Sequence, residues 1–306
     1  MTTLTTALTG AAREPASPAQ PSPALPAQPS PALPVQAAFA PSGPYATTTG
    51  TATDGTAVYD LYRPASYAAL GFQSPVVTWG NGTNGTPAQV SVLLRHLASY
   101  GFTVIASTLP NTGSGREIDA AAHYLVTQNG VAASVFHGHL NVNEIAAVGT
   151  SQGATGAIRA ATSDPALIKT VMTFSLPNAV WAAPNPDCPT AADCTAHPDA
   201  LTRPAFFVST HGFFDSVIAS PATERAYFLS APVHAALGII KNSDGKAADH
   251  ASIEDPAAGG NPGAFLGYAT AWLEYQLHGN TTAAGAFTGP HPELLANPNW
   301  PGSAVK

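Results

Sequence analysis

Apolar residues along this chain form short uninterrupted runs that alternate with segments of helical periodicity. The runs are bounded by turn residues and predict strands at 74–80, 102–107, 144–149, 168–175, 204–210 and 234–242. Between and after these runs the apolar spacing is typical of helices, which we predict at 86–101, 115–128, 151–163, 221–229 and 260–279. The pattern therefore indicates an α/β protein.

Alternating strands and helices are typical of a mostly parallel central sheet with helices on both faces. Right-handed crossovers place the carboxyl ends of parallel strands at one edge of the sheet, and ligands bind outside that edge. Ser151, Asp215, His250 and the loop 80–86 each follow a predicted strand. We therefore expect them to converge in space although they lie far apart in the sequence.

The N-terminal region differs in composition from the rest of the chain. Residues 1–44 hold ten of the 29 prolines and only two charged residues, and PAQPSPAL occurs in tandem at 18–25 and 26–33. Such a repeat buries too little apolar surface to offset the entropy lost on ordering. We predict a disordered tail over 1–43 and a folded domain over 44–306. The opening residues lack the basic and long apolar regions of a signal peptide.

The charge of the chain argues against two classes of binding partner. Charged residues make up 9% of the chain, and the formal net charge is −7 without a basic cluster. Nucleic acids and anionic membranes are therefore unfavourable partners. No apolar run approaches the roughly 18 residues that a transmembrane helix needs. We expect a monomer with no nucleic-acid partner and no transmembrane segment.

The chain has two cysteines, Cys188 and Cys194, in the segment DCPTAADC. A metal site would need more ligands than this segment offers, because there is no CxxC and the only nearby histidine is His197. We predict no metal site, and we favour a short disulfide loop over two free thiols. A disulfide would imply an oxidising compartment, hence a secreted or periplasmic protein.

The segment AAVGTSQGATG, residues 146–156, contains a G-x-S-x-G motif centred on Ser151, with a predicted strand before it and a helix after it. Gly149 and Gly153 leave room where a Cβ would collide with neighbouring backbone, so the serine hydroxyl can stand clear of a sharp turn. The following helix N-terminus supplies N–H groups to a developing oxyanion. Ser151 is a candidate nucleophile, and a glycine-rich turn without chemistry is the alternative.

A serine nucleophile needs a base, and the base needs an acid that orients it; in this fold the chain order is Ser, Asp or Glu, then His. Asp215 follows the strand 204–210 and is the candidate acid. Asp249 directly precedes His250, the candidate base, but would have poor geometry for reaching the imidazole ring. His250 lies in a polar loop after the last apolar strand, and we prefer it as the base over His197, His211, His234, His278 and His291.

The backbone N–H of Gln152, directly after the nucleophile, is one expected oxyanion donor. We expect the other from Gly82 or Thr83 in the loop WGNGTNGT, because glycine and asparagine permit close backbone approach. A plain Asn-Gly turn is the alternative for this loop. Asn84 and Trp181 are candidate residues of the substrate pocket, and a core tryptophan is the alternative for Trp181.

Together these residues resemble the α/β-hydrolase superfamily, in particular the secreted bacterial cutinase-like polyester hydrolases and the neighbouring dienelactone-hydrolase-like and lipase-like esterases. The resemblance extends from residue 43 to residue 280 and rests on GPYATTT, LASYGFTVIAST, STHGFFDSVIAS, DHASI and AWLEYQL. It implies an α/β-hydrolase fold and serine carboxylic-ester hydrolysis without a metal or organic cofactor. A tryptophan near position 181 lines the acyl pocket in those polyester hydrolases.

The chain departs from the polyester hydrolases at two motifs. Their elbow is usually G-H-S-M-G or G-W-S-M-G, whereas Thr150 and Gln152 flank the serine here. Their oxyanion loop carries an aromatic residue that Gly-Asn-Gly-Thr lacks. Fold and reaction class therefore carry over better than activity on polyester. The alternatives are an amidase, a peptidase or a polyhydroxyalkanoate depolymerase on the same fold, or a non-catalytic binding protein.

Overall fold

The computed structural model describes residues 32–181, 188 and 190–306. The strands in these ranges are β1 (Thr47–Thr53), β2 (Val58–Pro64), β3 (Ser74–Gly80), β4 (Thr103–Ser107), β5 (Leu140–Thr150), β6 (Ile168–Phe174), β7 (Ala205–Thr210), β8 (Ala235–Ile240), β9 (Asn242–Ser243), β10 (Lys246–Ala247) and β11 (Ala304–Val305). The helices are α1 (Pro34–Phe39), α2 (Ser91–Ser99), α3 (Arg116–Gly130), α4 (Gln152–Ser163), α5 (Ala191–Cys194), α6 (Phe213–Ile218), α7 (Pro221–Ser230), α8 (Gly263–His278), α9 (Thr281–Ala284) and α10 (Glu293–Ala296).

One nine-stranded sheet organises the fold, in the order β1-β2-β4-β3-β5-β6-β7-β8-β11. The strands β3 to β8 are parallel to one another, whereas β2 pairs antiparallel with β4, β1 with β2 and β11 with β8. This confirms the predicted α/β-hydrolase fold with a mostly parallel sheet. In the register of β3 and β5, Gly80 lies beside Gly149, so the loop after β3 leaves the sheet next to the G-x-S-x-G turn.

Helices cover both faces of the sheet because successive strand residues point to opposite sides. In β3, Val77 and Trp79 belong to the core that also contains residues of α2 and α8. Val76 belongs to the core on the other face, with residues of α3, α4 and α7. Among the helices of the described residues, none combines the length and the hydropathy of a membrane-crossing segment.

The folded part of the chain begins before residue 44, which corrects the predicted boundary of the tail. Val35 and Phe39 lie one helical turn apart in α1 and are buried in the same core as α8. The Glu293 carboxylate accepts the N–H groups of Val35 and Gln36, at 2.6 and 2.8 Å. The proline-rich composition conceals this apolar pair in the sequence. The rest of the predicted tail, residues 1–31, lies outside the described residues.

The sequence predicts a small insertion near 176–203, between the strands β6 and β7. The structure describes this segment in part, because 182–187 and 189 lie outside the described residues. Cys188 and Cys194 form the predicted disulfide, with Cα atoms 5.5 Å apart, and both are buried. Arg159 of α4 donates to the carbonyl oxygens of Ala192 and Thr195, at 3.1 and 3.4 Å. The disulfide loop is thus attached to the helix that follows Ser151.

Candidate active site

Ser151 occupies a strained turn between β5 and α4. Its backbone has φ 52° and ψ −125°, a left-handed φ that is uncommon for a residue with a side chain. A Cβ on Gly149 would lie 2.2 Å from the Gly153 carbonyl oxygen, and a Cβ on Gly153 would lie 2.2 Å from that of Gly80. Glycine is therefore required at both flanking positions of the motif, for the steric reason that the sequence suggests.

Hydrogen bonds and packing fix this turn on both sides. The Ser151 N–H donates to the Phe174 carbonyl oxygen of β6 at 2.8 Å, and the Ser151 carbonyl accepts the Ala154 N–H at 2.9 Å. Gln152 is buried, and a Cβ on Gly113 would lie 2.6 Å from its Cγ and 2.7 Å from the Cys194 sulfur. The residue after the serine thus packs beside the disulfide.

The structure brings the predicted acid and base together. His250 Nδ1 lies 2.7 Å from Asp215 Oδ1, although the two residues come from separate loops. Beside a carboxylate, Nδ1 carries the proton, which leaves Nε2 as a hydrogen-bond acceptor and potential base. The ring of Phe214 packs edge-on against the imidazole, with centroids 5.3 Å apart.

Asp215 is fully buried, and its second carboxylate oxygen is held by neighbouring donors. Oδ2 accepts the Thr210 hydroxyl at 2.7 Å, the Thr210 N–H at 3.1 Å and the Ser175 hydroxyl at 2.9 Å. Ser175 itself has a left-handed φ of 52°. These donors leave Oδ1 to the imidazole and fix the direction from which it is approached.

Ser151 and His250 line the same cavity, of about 300 Å³. No hydrogen bond joins their side chains in the described structure, so the cavity and the Asp215–His250 contact are what relate the three residues. The walls of the cavity come from the end of β3 and the loop after it, the turn after β5, α6 and the loop after β10. The lining residues are Trp79, Asn81, Gly82, Thr83, Gly85, Thr86, Gln89, Val90, Thr150, Ser151, Phe214, Ile218, His250 and Glu254.

Gly82 and Thr83, the candidate oxyanion donors, also line this cavity. A Cβ on Gly82 would lie 3.3 Å from Ser151 Cβ, which puts the loop backbone directly beside the serine. Asn81 anchors the loop, because its side-chain amide donates to the carbonyl oxygens of Ser107 and Leu109, at 2.7 and 2.9 Å. The assignment of one N–H of this loop to the oxyanion stays a prediction.

The two predicted pocket residues are not among those that line the cavity. Asn84 has a left-handed φ of 57° and forms the outer part of the Gly82–Gly85 turn. Trp181 is half exposed and adjoins residues outside the described part of the chain. Its role as an acyl-pocket residue stays a prediction. The apolar wall is instead made by Trp79, Val90, Phe214 and Ile218.

Three further carboxyl groups lie near the Asp215–His250 pair. Burial, and then the charge of Asp215, raise the pKa of Glu224 well above its ordinary value. Burial also raises the pKa of Glu254, which lines the cavity. For Asp249, burial raises the pKa, but the backbone N–H groups of His250, Phe214 and Asp215 outweigh it and bring the pKa below its ordinary value.

Sequence reasoning missed several residues that organise this site. Thr210, Ser175 and Asn81 are uncharged residues at the ends of strands, where nothing in their spacing sets them apart from ordinary turn residues. Their roles follow from which strands are neighbours in the sheet. In the sequence, Asp249 stands out only as a poorly placed candidate acid for His250, whereas in the structure its carboxylate accepts backbone N–H groups.

One group of side chains in the described residues has spacing suitable for a metal ion. The ligand atoms of Asp119, His123 and Asp164 lie within 4.8 Å of one another, on α3 and at the end of α4. His123 Nε2 is 3.2 Å from Asp164 Oδ2, so the histidine already serves as a partner for the acid. None of the three lines the cavity that contains Ser151.

A known protein resembles part of this chain. Cutinase est2 of Thermobifida alba is 29% identical to it over 137 residues. The match covers 42% of this chain and 43% of the relative, so it spans less than half of either protein. No protein-family model matches the chain. This weak homology agrees with the α/β fold of the chain.

Proposed function

We propose that this chain is a serine carboxylic-ester hydrolase whose catalytic triad is Ser151, His250 and Asp215. The observation that carries the proposal is the 2.7 Å contact between His250 and the fully buried Asp215, with His250 lining the same cavity as Ser151. The strained backbone of Ser151 supports its assignment as nucleophile.

In the proposed reaction, His250 Nε2 takes the proton of Ser151 Oγ as this oxygen attacks the ester carbonyl carbon. The N–H groups of Gln152 and of Gly82 or Thr83 donate to the oxyanion that forms. His250 then gives its proton to the leaving alcohol. Water, deprotonated by the same imidazole, hydrolyses the acyl-enzyme. Asp215 holds the ring and stabilises the imidazolium without taking its proton.

The cavity supports an ester with an apolar acyl or alcohol part. Trp79, Val90 and Ile218 form an apolar wall beside the polar loop after β3. Phe213 and Phe214 of α6 are 82% and 51% exposed, and Phe214 extends this wall to the surface. A lipid or polyester substrate, as in cutinase-like enzymes, is the finer form of the proposal. The disulfide supports a secreted or periplasmic location.

The proposal is tested by labelling the protein with a fluorophosphonate probe and by measuring hydrolysis of nitrophenyl esters from acetate to palmitate. Ser151→Ala should abolish labelling, and His250→Ala and Asp215→Ala should each lower kcat by orders of magnitude while the circular-dichroism spectrum is retained. Matched nitroanilides separate ester from amide hydrolysis. Folded wild-type protein that neither reacts with the probe nor hydrolyses any ester would make the chain a non-catalytic member of its fold.

A further inference from the structure

The acid and the base of the proposed triad are carried by two short segments that a single carboxylate joins. Asp215 lies in the first turn of α6, and His250 begins the turn His250–Ile253. We propose that Asp249 is a positioning residue, which fixes the distance between the Asp215 carboxylate and the His250 ring by binding the backbone of both segments. This inference rests on the proposed ester hydrolysis.

The contacts of Asp249 bridge the two segments directly. Its Oδ1 accepts the N–H groups of Phe214 at 3.0 Å, Asp215 at 3.1 Å and His250 at 2.8 Å. Its Oδ2 accepts the Phe214 N–H at 3.1 Å. The same oxygen therefore binds the main chain of the acid and of the base, while neither carboxylate oxygen is hydrogen-bonded to the imidazole ring.

Asp249 is itself held in place. Its N–H donates to the Ser252 hydroxyl at 2.9 Å, and its carbonyl accepts the Ser252 N–H at 2.8 Å. Gly212, just before α6, approaches so closely that a Cβ there would lie 2.2 Å from Asp249 Cγ. Gly212 has φ −64°, which any residue can adopt, so contact with Asp249 is the feature that excludes a side chain.

This arrangement bears on catalysis because α6 has six residues and is too short to be stable without tertiary contacts. A partly buried carboxylate that accepts several N–H groups is a strong helix-end contact. Without it, the first turn of α6 can shift relative to His250, and a displacement of about 1 Å at a catalytic group lowers the rate on the order of 100-fold.

The test compares Asp249→Ala, Asp249→Asn and Gly212→Ala in the full chain, using the nitrophenyl ester that wild type hydrolyses fastest. Asp249→Ala should lower kcat on the order of 100-fold and change KM by less than about threefold, because substrate binding uses other residues. Asp249→Asn retains an oxygen acceptor and should recover most of kcat. Gly212→Ala should lower kcat with every functional group still present.

Glu293→Ala is the matched control, because Glu293 likewise accepts backbone N–H groups at a helix start, in α1. It should lower the melting temperature and leave kcat at the wild-type value. Wild-type kcat in Asp249→Ala, or equal loss in Asp249→Asn and Asp249→Ala, would overturn the inference. If Asp249→Ala does not fold, wild-type kcat in Gly212→Ala overturns it. Wild type that hydrolyses no ester would instead refute the proposed function.

Discussion

At the scale of single residues, the buried carboxyl groups of Asp215 and Glu224 lie close to each other but accept different numbers of hydrogen bonds. Asp215 is held by the hydroxyls of Thr210 and Ser175, a backbone N–H and the imidazole of His250. Glu224 accepts one backbone N–H, from Leu176 at 2.6 Å, and its Oε2 has no partner among the described residues. Burial and the charge of Asp215 therefore keep the folded-state pKa of Glu224 well above its ordinary value.

Glu224→Gln should make the protein more stable at neutral and alkaline pH. Because the folded-state pKa of Glu224 is raised, the contribution of this group to stability is fully present below the ordinary value of 4.5 and is lost as the pH rises through the folded-state pKa. The maximal slope for one proton is about 1.4 kcal/mol per pH unit. Glutamine keeps the acceptor for Leu176 and carries no titrating proton.

Urea denaturation between pH 4 and pH 8 measures this effect on the free energy of unfolding. The difference between Glu224→Gln and wild type should grow with pH across this range. Asp199→Asn, at an exposed position whose carboxylate lies 3.7 Å from His197 Nδ1, is the control and should show a much smaller change with pH than Glu224→Gln. A Glu224→Gln difference that stays constant with pH would mean that Glu224 is ionised in the folded protein.

At the scale of elements, the disulfide closes a short loop that packs beside the candidate site. Cys188 and Cys194 are six positions apart, and α5 ends at the second cysteine. The Cys194 sulfur packs near Gly113 and the side chain of Gln152, whose N–H is a candidate oxyanion donor. The loop therefore packs beside the residue that follows Ser151.

Removing the disulfide with a Cys188→Ala and Cys194→Ala double substitution should lower the free energy of unfolding by about 2 kcal/mol, since the closed loop is short. The double variant should also become insensitive to reductant, whereas wild type should lose a similar amount on reduction. Chemical denaturation with and without dithiothreitol measures both. Equal stability of reduced and oxidised wild type would show that local packing, rather than the cross-link, holds the segment.

At the scale of the whole molecule, the sequence predicts the centre of the sheet better than its margins. The strands β3 to β8 are found from apolar runs, because both of their faces are covered by helices. The edge strand β1, rich in threonine and largely exposed, offers no such run, and β11 has two residues. Helices of six residues, such as α1 and α6, are too short to show a periodicity.

The sequence likewise predicts some residues of the candidate site and misses the contacts that hold them in place. Ser151, Asp215 and His250 could be selected because parallel topology places the ends of their strands at one edge. The hydrogen bonds around these residues could not be predicted, since those of Thr210 and Ser175 depend on which strands are neighbours in the sheet and those of Asp249 depend on the conformation of loops. Loop conformation depends on contacts such as that between Gly212 and Asp249, which join distant parts of the sequence. Residue type alone does not encode those contacts.

The last prediction concerns helix α1, whose apolar residues belong to the same core as residues of α8. Val35 and Phe39 are 4% and 6% exposed, and burial of each contributes about 1.5–3 kcal/mol. A chain that begins at Pro41 should therefore unfold with a free energy about 3–6 kcal/mol below that of a chain that begins at Ala32. The shorter chain also leaves Glu293 without the N–H groups of Val35 and Gln36, which adds to the loss. Guanidinium denaturation of the two chains, with Phe39→Ala in the full chain as an intermediate case, measures the difference. Equal unfolding midpoints would show that α1 is an accessory to the core rather than part of it.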